Sequence, residues 1–566
     1  MDISKSALLA HRAALETTGH NVANADVDGY CRQKVIMASN GSVRVGTAIM
    51  GTGVHVAEVT RAYNAYANKN VDRQTAVLGD LSAKSEYMAT LETLFSESSG
   101  AGLGTRLNAF WAGWQDLAND PSGTAERLAL IRQGEELAGQ LDTESGTLDT
   151  IANELRLRVT QEVGDINDML DQVANLNDEI VGVEAGSYQA NDLRDQRDAI
   201  LTRISEAIPI DYFEGDGGKM SVFLKGRMLV ENRESYHLEP QSGSGYSVGI
   251  MWHDSLASAQ DISGLIDGGE LGGHLFLLQD DLAGYSAQLN DFAKALAFEV
   301  NRIHSQGVGQ EALTTTTGTE EATAAGVAMA TAASGLEFHD RIDDSGAAGF
   351  DIHVYGATGT PLAGSPRSIT ITAGMTLTAL AAAVNAATGL SASVSDGKLT
   401  IAASGAEGGS SFAFGEDTSG VLAALGINGF FSGHTAGDIA VRASQAGVAA
   451  GRVSSDGSFG SGDGSNALAI ADIEDTQVEV GDSTDTLSDY IGGILGDLGV
   501  EAASVKRNAE FAKSMLDQLT TWRNSESGVS LDEELSNMLK YQHAYIAAAK
   551  LLTTADEMLR AVLEIK

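Results

Sequence analysis

A single cysteine, Cys31, stands among 566 residues, which excludes an intrachain disulfide. Proline is nearly as scarce, at 5 residues, and with 43% hydrophobic and 20% charged residues the composition is that of a globular chain. Positive charge is the third shortage. The 36 lysines and arginines face 77 acidic residues, for a formal net charge of -41. So acidic a chain argues against nucleic acid or anionic lipid as partner. No apolar run approaches the roughly 18 residues of a membrane span. The longest early run, Ala7-Leu8-Leu9-Ala10, is too short for the core of a secretory signal. The expectation is a chain that stays in the cytoplasm or is exported by a route needing no cleaved signal. The 11 histidines lack metal-ligand spacing, with His11 and His20 nine apart and His237 and His253 sixteen.

The acidic excess is unevenly spread. Residues 1–60 balance five acidic against five basic side chains, and residues 501–566 carry ten against eight, so 61–500 holds -39 of the total. Neutral ends suit packing against other chains, and an acidic middle suits a solvated outer surface. The length fits roughly four domains at about 150 residues each.

Helical periodicity dominates both ends. Leu8, Leu15 and Val22 fall seven apart, flanked by Ala7, Ala10 and Ala14, and predict a helix over 4–24. Asn21, Asn24, Asp26, Asp28 and Gly29 then make a turn, followed by a short extended stretch with Val35, Val43, Val45, Val54 and Val56. From about 60 to 207 the pattern is helical again. Its longest series runs from Leu148 through Ile151, Leu155, Val159, Ile166, Leu170, Val173 and Ile180 to Val183, a rod of roughly 50 Å. A further helix from Leu193 to Ile208 ends at Pro209.

Short alternating runs over 210–262 read as strands, and helical spacing returns over 275–304. Residues 310–335 have the Thr-, Ala- and Gly-rich composition of a linker. A β-rich segment follows to about 440, with a hairpin over Ser391 to Ile401 turning at Asp396-Gly397 and a short helix from Thr376 to Ala387. Near the C-terminus, Val505 to Leu519 form one stripe that Asn524 to Gly528 interrupts. Ser530 and Glu533 form a capping box for a last helix carrying Leu531, Leu535, Met538, Tyr545, Leu552, Leu559 and Val562.

The fold class is therefore mainly α with inserted β-rich domains (α+β): paired N- and C-terminal coiled-coil helices, a long helical bundle, and outer β-rich domains. The expected divisions are 1–58 with 524–566 as a terminal coiled-coil domain, 59–208 with 265–312 and 441–523 as a helical rod, 209–264 as a small β-rich segment, and 313–440 as a β-rich insertion. A narrow apolar stripe cannot bury itself alone, so the terminal helices must find each other or further copies. The expected assembly residues are Leu8, Leu15, Val22, Leu531, Leu535, Met538, Tyr545, Leu552 and Leu559.

The segments Ser6-Ala7-Leu8, Ala14-Leu15, Asn21-Val22-Ala23-Asn24 and Gly29-Tyr30-Cys31-Arg32-Gln33 resemble the start shared by bacterial flagellar rod, hook and hook-associated proteins. Asn21, Asn24, Gly29, Tyr30, Arg32 and Gln33 carry that motif, and Cys31 departs from it, since the family usually has Ser or Thr there. Phe110-Trp111, Trp114 to Pro121, Glu126-Arg127, Asn191 to Asp198, Ser530 to Leu535, Tyr541 to Tyr545 and Asp556 to Leu559 resemble the hook-associated members that form the first layer of the hook–filament junction. The resemblance implies unfolded export through the flagellar type III channel to an extracellular place at the distal hook. It implies four partners: the hook protein, the second hook–filament junction protein, further copies of this chain in a ring, and a cytoplasmic export chaperone on the C-terminal helix. No nucleic acid, membrane insertion, cofactor, metal or catalytic residue is expected. The rivals are a flagellar hook or rod protein and a secreted hydrolase on a flagellar scaffold. The Trp114 to Pro121 segment and the long helices speak against the hook protein. The hydrolase would need a catalytic constellation over 315–440, where His339, His353 and His434 show no recognisable spacing.

Other patterns read more simply. Gly245-Tyr246-Ser247-Val248-Gly249 matches a nucleophile elbow, yet without a preceding strand and following helix it reads as a hairpin loop. Asn24, Asp26, Asp28 and Gly29 match the start of a calcium loop, but its last position falls on Val35. Cys31 reads as a buried structural thiol, and the acid pairs Asp280-Asp281 and Glu533-Glu534 as solvated helix faces.

Overall fold

The computed structural model describes residues 1–27, 29–46, 48–95, 102–185, 189–253 and 259–564. Asp28 of the expected turn and of the calcium-loop pattern lies outside them. The chain divides into two compact units. One comprises Met1–Tyr87, Asn153–Asp280 and Ala502–Lys566, the other Met88–Ala152 and Asp281–Glu501.

The N-terminal helix runs Asp2–Ala23. The chain then forms an antiparallel ribbon, Gln33–Ser39 against Val54–Arg61, with a register shift at Ile36/Met37. Within it lies a smaller hairpin, Ser42–Val45 against Ala48–Gly51. Where the ribbon passes the first helix, Gly53 has φ +118, and a Cβ there would lie 2.1 Å from the Ser6 hydroxyl oxygen. Only glycine satisfies both conditions.

Helices follow at Ala65–Leu94, Leu103–Asn119, Thr124–Glu184 and Asn191–Ala207. The third has 61 residues, about 90 Å at 1.5 Å per residue, and so exceeds the 50 Å expected. Its buried stripe starts earlier than the series from Leu148, with Leu130, Leu137 and Leu141 already fully buried. Gly134, Gly139 and Gly146 obscure that stripe in the sequence but cost a helix only about 1 kcal/mol each. The last two helices run Leu487–Ser527 and Leu531–Glu564. The interruption expected over Asn524 to Gly528 falls between these two helices, after Ser527. The Ser525 hydroxyl donates to the Trp522 carbonyl at 2.7 Å, and the helix closes where the Gly528 amide donates to Asn524 O at 2.9 Å.

In the first unit, residues 210–262 form the expected strands as two antiparallel sheets. One has four strands in sequential order from Asp211–Glu214 to Glu234–Ser235. The other pairs Val248–His253 with both Leu238–Ser242 and Ala259–Asp261. The G-x-S-x-G pattern lies on the hairpin turn before Val248–His253, with the Gly243 amide bonded to Ser247 O at 3.1 Å.

The second unit holds two three-stranded antiparallel sheets. Gly349–Tyr355 is the centre of one, between Arg367–Thr370 and Ser411–Asp417. Lys398–Ala403 is the centre of the other, between Thr315–Thr317 and Leu390–Ser395. The hairpin turns at Asp396 (φ 51) and Gly397 (φ 71), the two left-handed residues of a type I′ turn. The helix Leu377–Asn385 starts where the Ala379 amide donates to the Thr376 hydroxyl at 3.1 Å. Residues 310–335 are not a linker. Ala322 and Met329 are buried in the core, and their amides donate to Gly397 O and Met375 O, both at 2.9 Å. Small residues fit between backbones here, and composition alone cannot tell close packing from slack.

Candidate assembly interface

The terminal helices pair antiparallel. Asn21 of Asp2–Ala23 meets Glu534 of Leu531–Glu564, and the His11 ring lies 6.3 Å from that of Tyr541. The buried seam consists of small or polar residues: Ala10, Ala14, Thr18 and Asn21 on the first helix, Glu534 and Ala548 on the last. Small side chains let the two backbones approach closely, and the Thr18 hydroxyl returns its proton to Ala14 O at 2.9 Å.

This seam lies beside the apolar stripes. Among the expected assembly residues, Leu8, Leu15, Val22, Met538 and Leu552 are half-buried, while Leu531, Leu535, Tyr545 and Leu559 are exposed. Leu535 is 51% exposed and Leu559 52%. Leu539, Ile546, Leu551, Met558, Val562 and Leu563 are exposed too, so the apolar surface is broader than the expected set. Ile3 and Leu9 extend it on the first helix, and Phe511 on the preceding long helix.

The motif residues converge where the first helix ends. Asn21 is buried and fully used: its amide donates to Gln33 O (2.9 Å) and to Glu534 Oε2 (3.0 Å). Its Oδ1 accepts from the Tyr30 hydroxyl (2.8 Å) and the Gln33 amide (2.9 Å). Asn24 caps the helix, its Nδ2 donating to His20 O at 3.0 Å. Gly29 has φ +78 and opens the turn into Tyr30. Arg32 pairs with Glu533 at 2.6 Å and Glu534 at 2.7 Å, and its amide donates to Ser527 O at 2.9 Å. Gln33 Nε2 donates to Asp192 Oδ1 at 2.7 Å.

Two readings of these residues need correction or extension. Glu534 is not a solvated acid: it is 2% exposed, and the partners that sink it, Arg32 and Asn21, lie some 500 residues away in sequence. Cys31 is buried as expected. Burial, reinforced by the charge of Asp195, pushes its thiol up to about 12, so it is a poor nucleophile. The Cys31 amide donates to Asp195 Oδ2 at 3.1 Å. Asp195 and Asp198 both take Arg61 Nη1, at 2.7 and 2.8 Å. Burial raises both carboxyls against the pull of Arg61, Asp198 to about 6. Sequence reasoning singled out the segment 191–198 without assigning its contacts.

A polar cavity of about 280 Å³ lies beside the turn, lined in part by Tyr30, Asp72, Asp198, Tyr212 and Arg523. Asp72 is buried and accepts from the Thr202 hydroxyl (2.7 Å) and the Tyr212 hydroxyl (2.6 Å). In the second unit His339, His353 and His434 lie in separate surroundings, and His353 Nδ1 is buried without a hydrogen-bond partner among the described residues. His339 Nδ1 lies 2.9 Å from Leu336 O, His434 lies 3.7 Å from Glu320, and His353 is buried in its strand. Among the described residues no group of three or more His, Cys, Asp or Glu is arranged to hold a metal ion, and no helix is long and apolar enough to cross a membrane.

Four family models match. Residues 88–319 match the flagellar hook-associated protein FlgK helical domain, and 349–405 the flagellin hook IN motif. Residues 1–30 match the flagella basal body rod protein, and 523–565 the C-terminal part of the flagellar basal body rod FlgEFG protein. Flagellar hook-associated protein 1 of Bacillus subtilis is 25% identical over 576 residues, spanning 100% of this chain and 97% of its own length. Its counterpart in Salmonella typhimurium is 27% identical, spanning 99% of this chain and 98% of its own. That of Escherichia coli is 26% identical over the same shares. The structure of the flagellar hook junction protein FlgK from Burkholderia pseudomallei shares the fold, with a TM-score of 0.52 at 17% identity over 82% of this chain and 100% of that one. From end to end, then, the chain belongs to the family of flagellar hook-associated protein 1, structural proteins of the bacterial flagellum.

Proposed function

We propose that this chain forms the first layer of the hook–filament junction, adding to the distal end of the hook as a ring of copies. The observation that carries this is the apolar face on the paired terminal helices. Leu531, Leu535, Tyr545, Leu559 and Val562 remain exposed after the two helices have met, as a surface awaiting neighbours would be. Residues 1–58 with 524–566 are the inner, assembling part of this design. Residues 59–208 with 265–312 and 441–523 are the helical rod, and 209–264 and 313–440 face outward. Leu8, Leu15, Val22, Met538 and Leu552 flank the seam and complete the surface between copies. The hook protein lies beneath and the second junction protein above. Before export through the flagellar type III channel, a cytoplasmic chaperone covers the C-terminal helix, an amphipathic helix suited to a partner's groove. The role is architectural and extracellular, with no catalysis, cofactor or metal.

The test is deletion of the gene in its own organism, with negative-stain electron microscopy and a blot of the medium for flagellin. Hooks without filaments and flagellin lost to the medium are expected. Missing hooks would make the chain a hook or rod protein instead, and intact flagella would overturn the junction reading.

A further inference from the structure

Three segments far apart in sequence meet at one place: the turn 21–33, the segment 191–198, and the connection 526–534 between the last two helices. What joins them is almost wholly polar. Asn21 ties the first helix to Glu534, and Arg32 reaches Glu533, Glu534 and the Ser527 carbonyl. Asn64 Nδ2 donates to Glu526 Oε2 at 2.5 Å. From the other side Asp192 takes Gln33, Asp195 takes the Cys31 amide and Arg61, and Asn191 Nδ2 donates to Val59 O at 2.8 Å. The segment 191–198 is itself braced. Arg197, fully buried, holds Asn177 at 2.9 Å and Glu214 at 2.8 Å, and Arg194 holds Glu184 at 2.8 Å.

Resting on the junction reading above, we propose that these motifs form a joint within one chain. Its work is to set the angle and register of the terminal helix pair, while contact between copies is left to the apolar stripes. The motif residues are thus positioning residues. Two observations argue against their serving as the surface between copies. The buried members Asn21, Glu534, Asp195 and Arg197 already have partners in the same chain, and burying unpaired charge is too costly for such groups to await a neighbour. The apolar residues beside them lack such partners and stay exposed.

A joint within the chain can be repaired only within the chain. In cells lacking the native gene, with amounts equalised by immunoblot, Arg32→Glu places a carboxylate against Glu533 and Glu534. Filament-bearing cells should fall at least tenfold. Adding Glu533→Arg to the same chain should recover a substantial fraction, whereas making the two single variants together as separate chains should not. A second, gentler pair covers loss of folding: Gln33→Glu opposes two carboxylates, and Asp192→Gln in the same chain restores the hydrogen bond with donor and acceptor exchanged. Rescue by separate chains for either pair, or normal filament numbers with Arg32→Glu alone, would overturn the joint. Failure of the junction reading would look different, since cells with no copy of the chain would carry normal filaments.

Discussion

The helices Leu103–Asn119 and Leu531–Glu564 carry apolar residues at the same helical spacing, yet the first buries them and the second does not. In the second unit Phe110, Trp111 and Trp114 are fully buried, with the Trp114 ring 5.2 Å and the Phe110 ring 5.6 Å from Phe430. Arg127 is buried beside them without a carboxylate, its guanidinium donating to Pro121 O at 2.7 Å and Val448 O at 2.6 Å. The large apolar side chains of Leu103–Asn119 are covered within the same chain. In the terminal helices the in-chain contact uses alanines and a polar lock, and the leucines face out. The contrast teaches that spacing says a stripe must be covered, but not by whom.

The comparison can be broken most severely at the buried end. Trp114→Ala should destabilise the chain by about 3–5 kcal/mol, the range for removing a large aromatic from a packed core. Urea unfolding followed by circular dichroism would read it, and a loss under about 1 kcal/mol would mean that the aromatic cluster is not the anchor described.

The two units should also respond to acid with opposite signs. Asp198 takes up its proton near 6 when folded, because burial outweighs the pull of Arg61, and near 4 when unfolded. The folded state therefore binds more protons between those values, and this region gains stability as pH falls from about 6 to 4. His304 is the reverse. Complete burial lowers it to about 4, with Nδ1 bonded to Asn428 O at 2.8 Å and Nε2 accepting from the Ala449 amide at 2.9 Å. Its unfolded value is near 6.5, so its contribution is whole above 6.5 and is lost as pH falls toward 4. Amide exchange, corrected for intrinsic rates, should show protection rising around residues 195–202 and falling around 301–305 and 449 over that range. The same sign at both sites would refute the contrast.

The smallest effect on the chain's own stability should come from Leu535→Asp. At a half-exposed helical position it should change unfolding by roughly 0.5 kcal/mol or less, yet filament-bearing cells should vanish. Normal filaments with this variant would remove the terminal stripe from the assembly surface.

Much was legible beforehand because helical periodicity and turn chemistry are local. The first helix, the strands of 210–262 and the Asp396-Gly397 turn all follow from residues near one another in sequence. Three expectations fall short, two because their causes are distant and one because glycines mask a local stripe. The Ala- and Gly-rich stretch 310–335 packs against strands as far on as Phe412, which pairs with Leu313. The long helix starts 24 residues before the clear part of its stripe because buried leucines lie among glycines. Glu534 is buried because Arg32 and Asn21 come to it.

Sequence by itself determined the stripes, their neutral setting at the two ends, the acidic middle and the absence of disulfide support, since composition and spacing are carried in the chain. Tertiary structure alone decided which side of each terminal helix is spent inside the molecule. An antiparallel seam through Ala10, Ala14 and Ala548 and a polar joint at Asn21, Arg32 and Glu534 cover one side. The leucines are left outward because small residues let two helices approach more closely than leucines do.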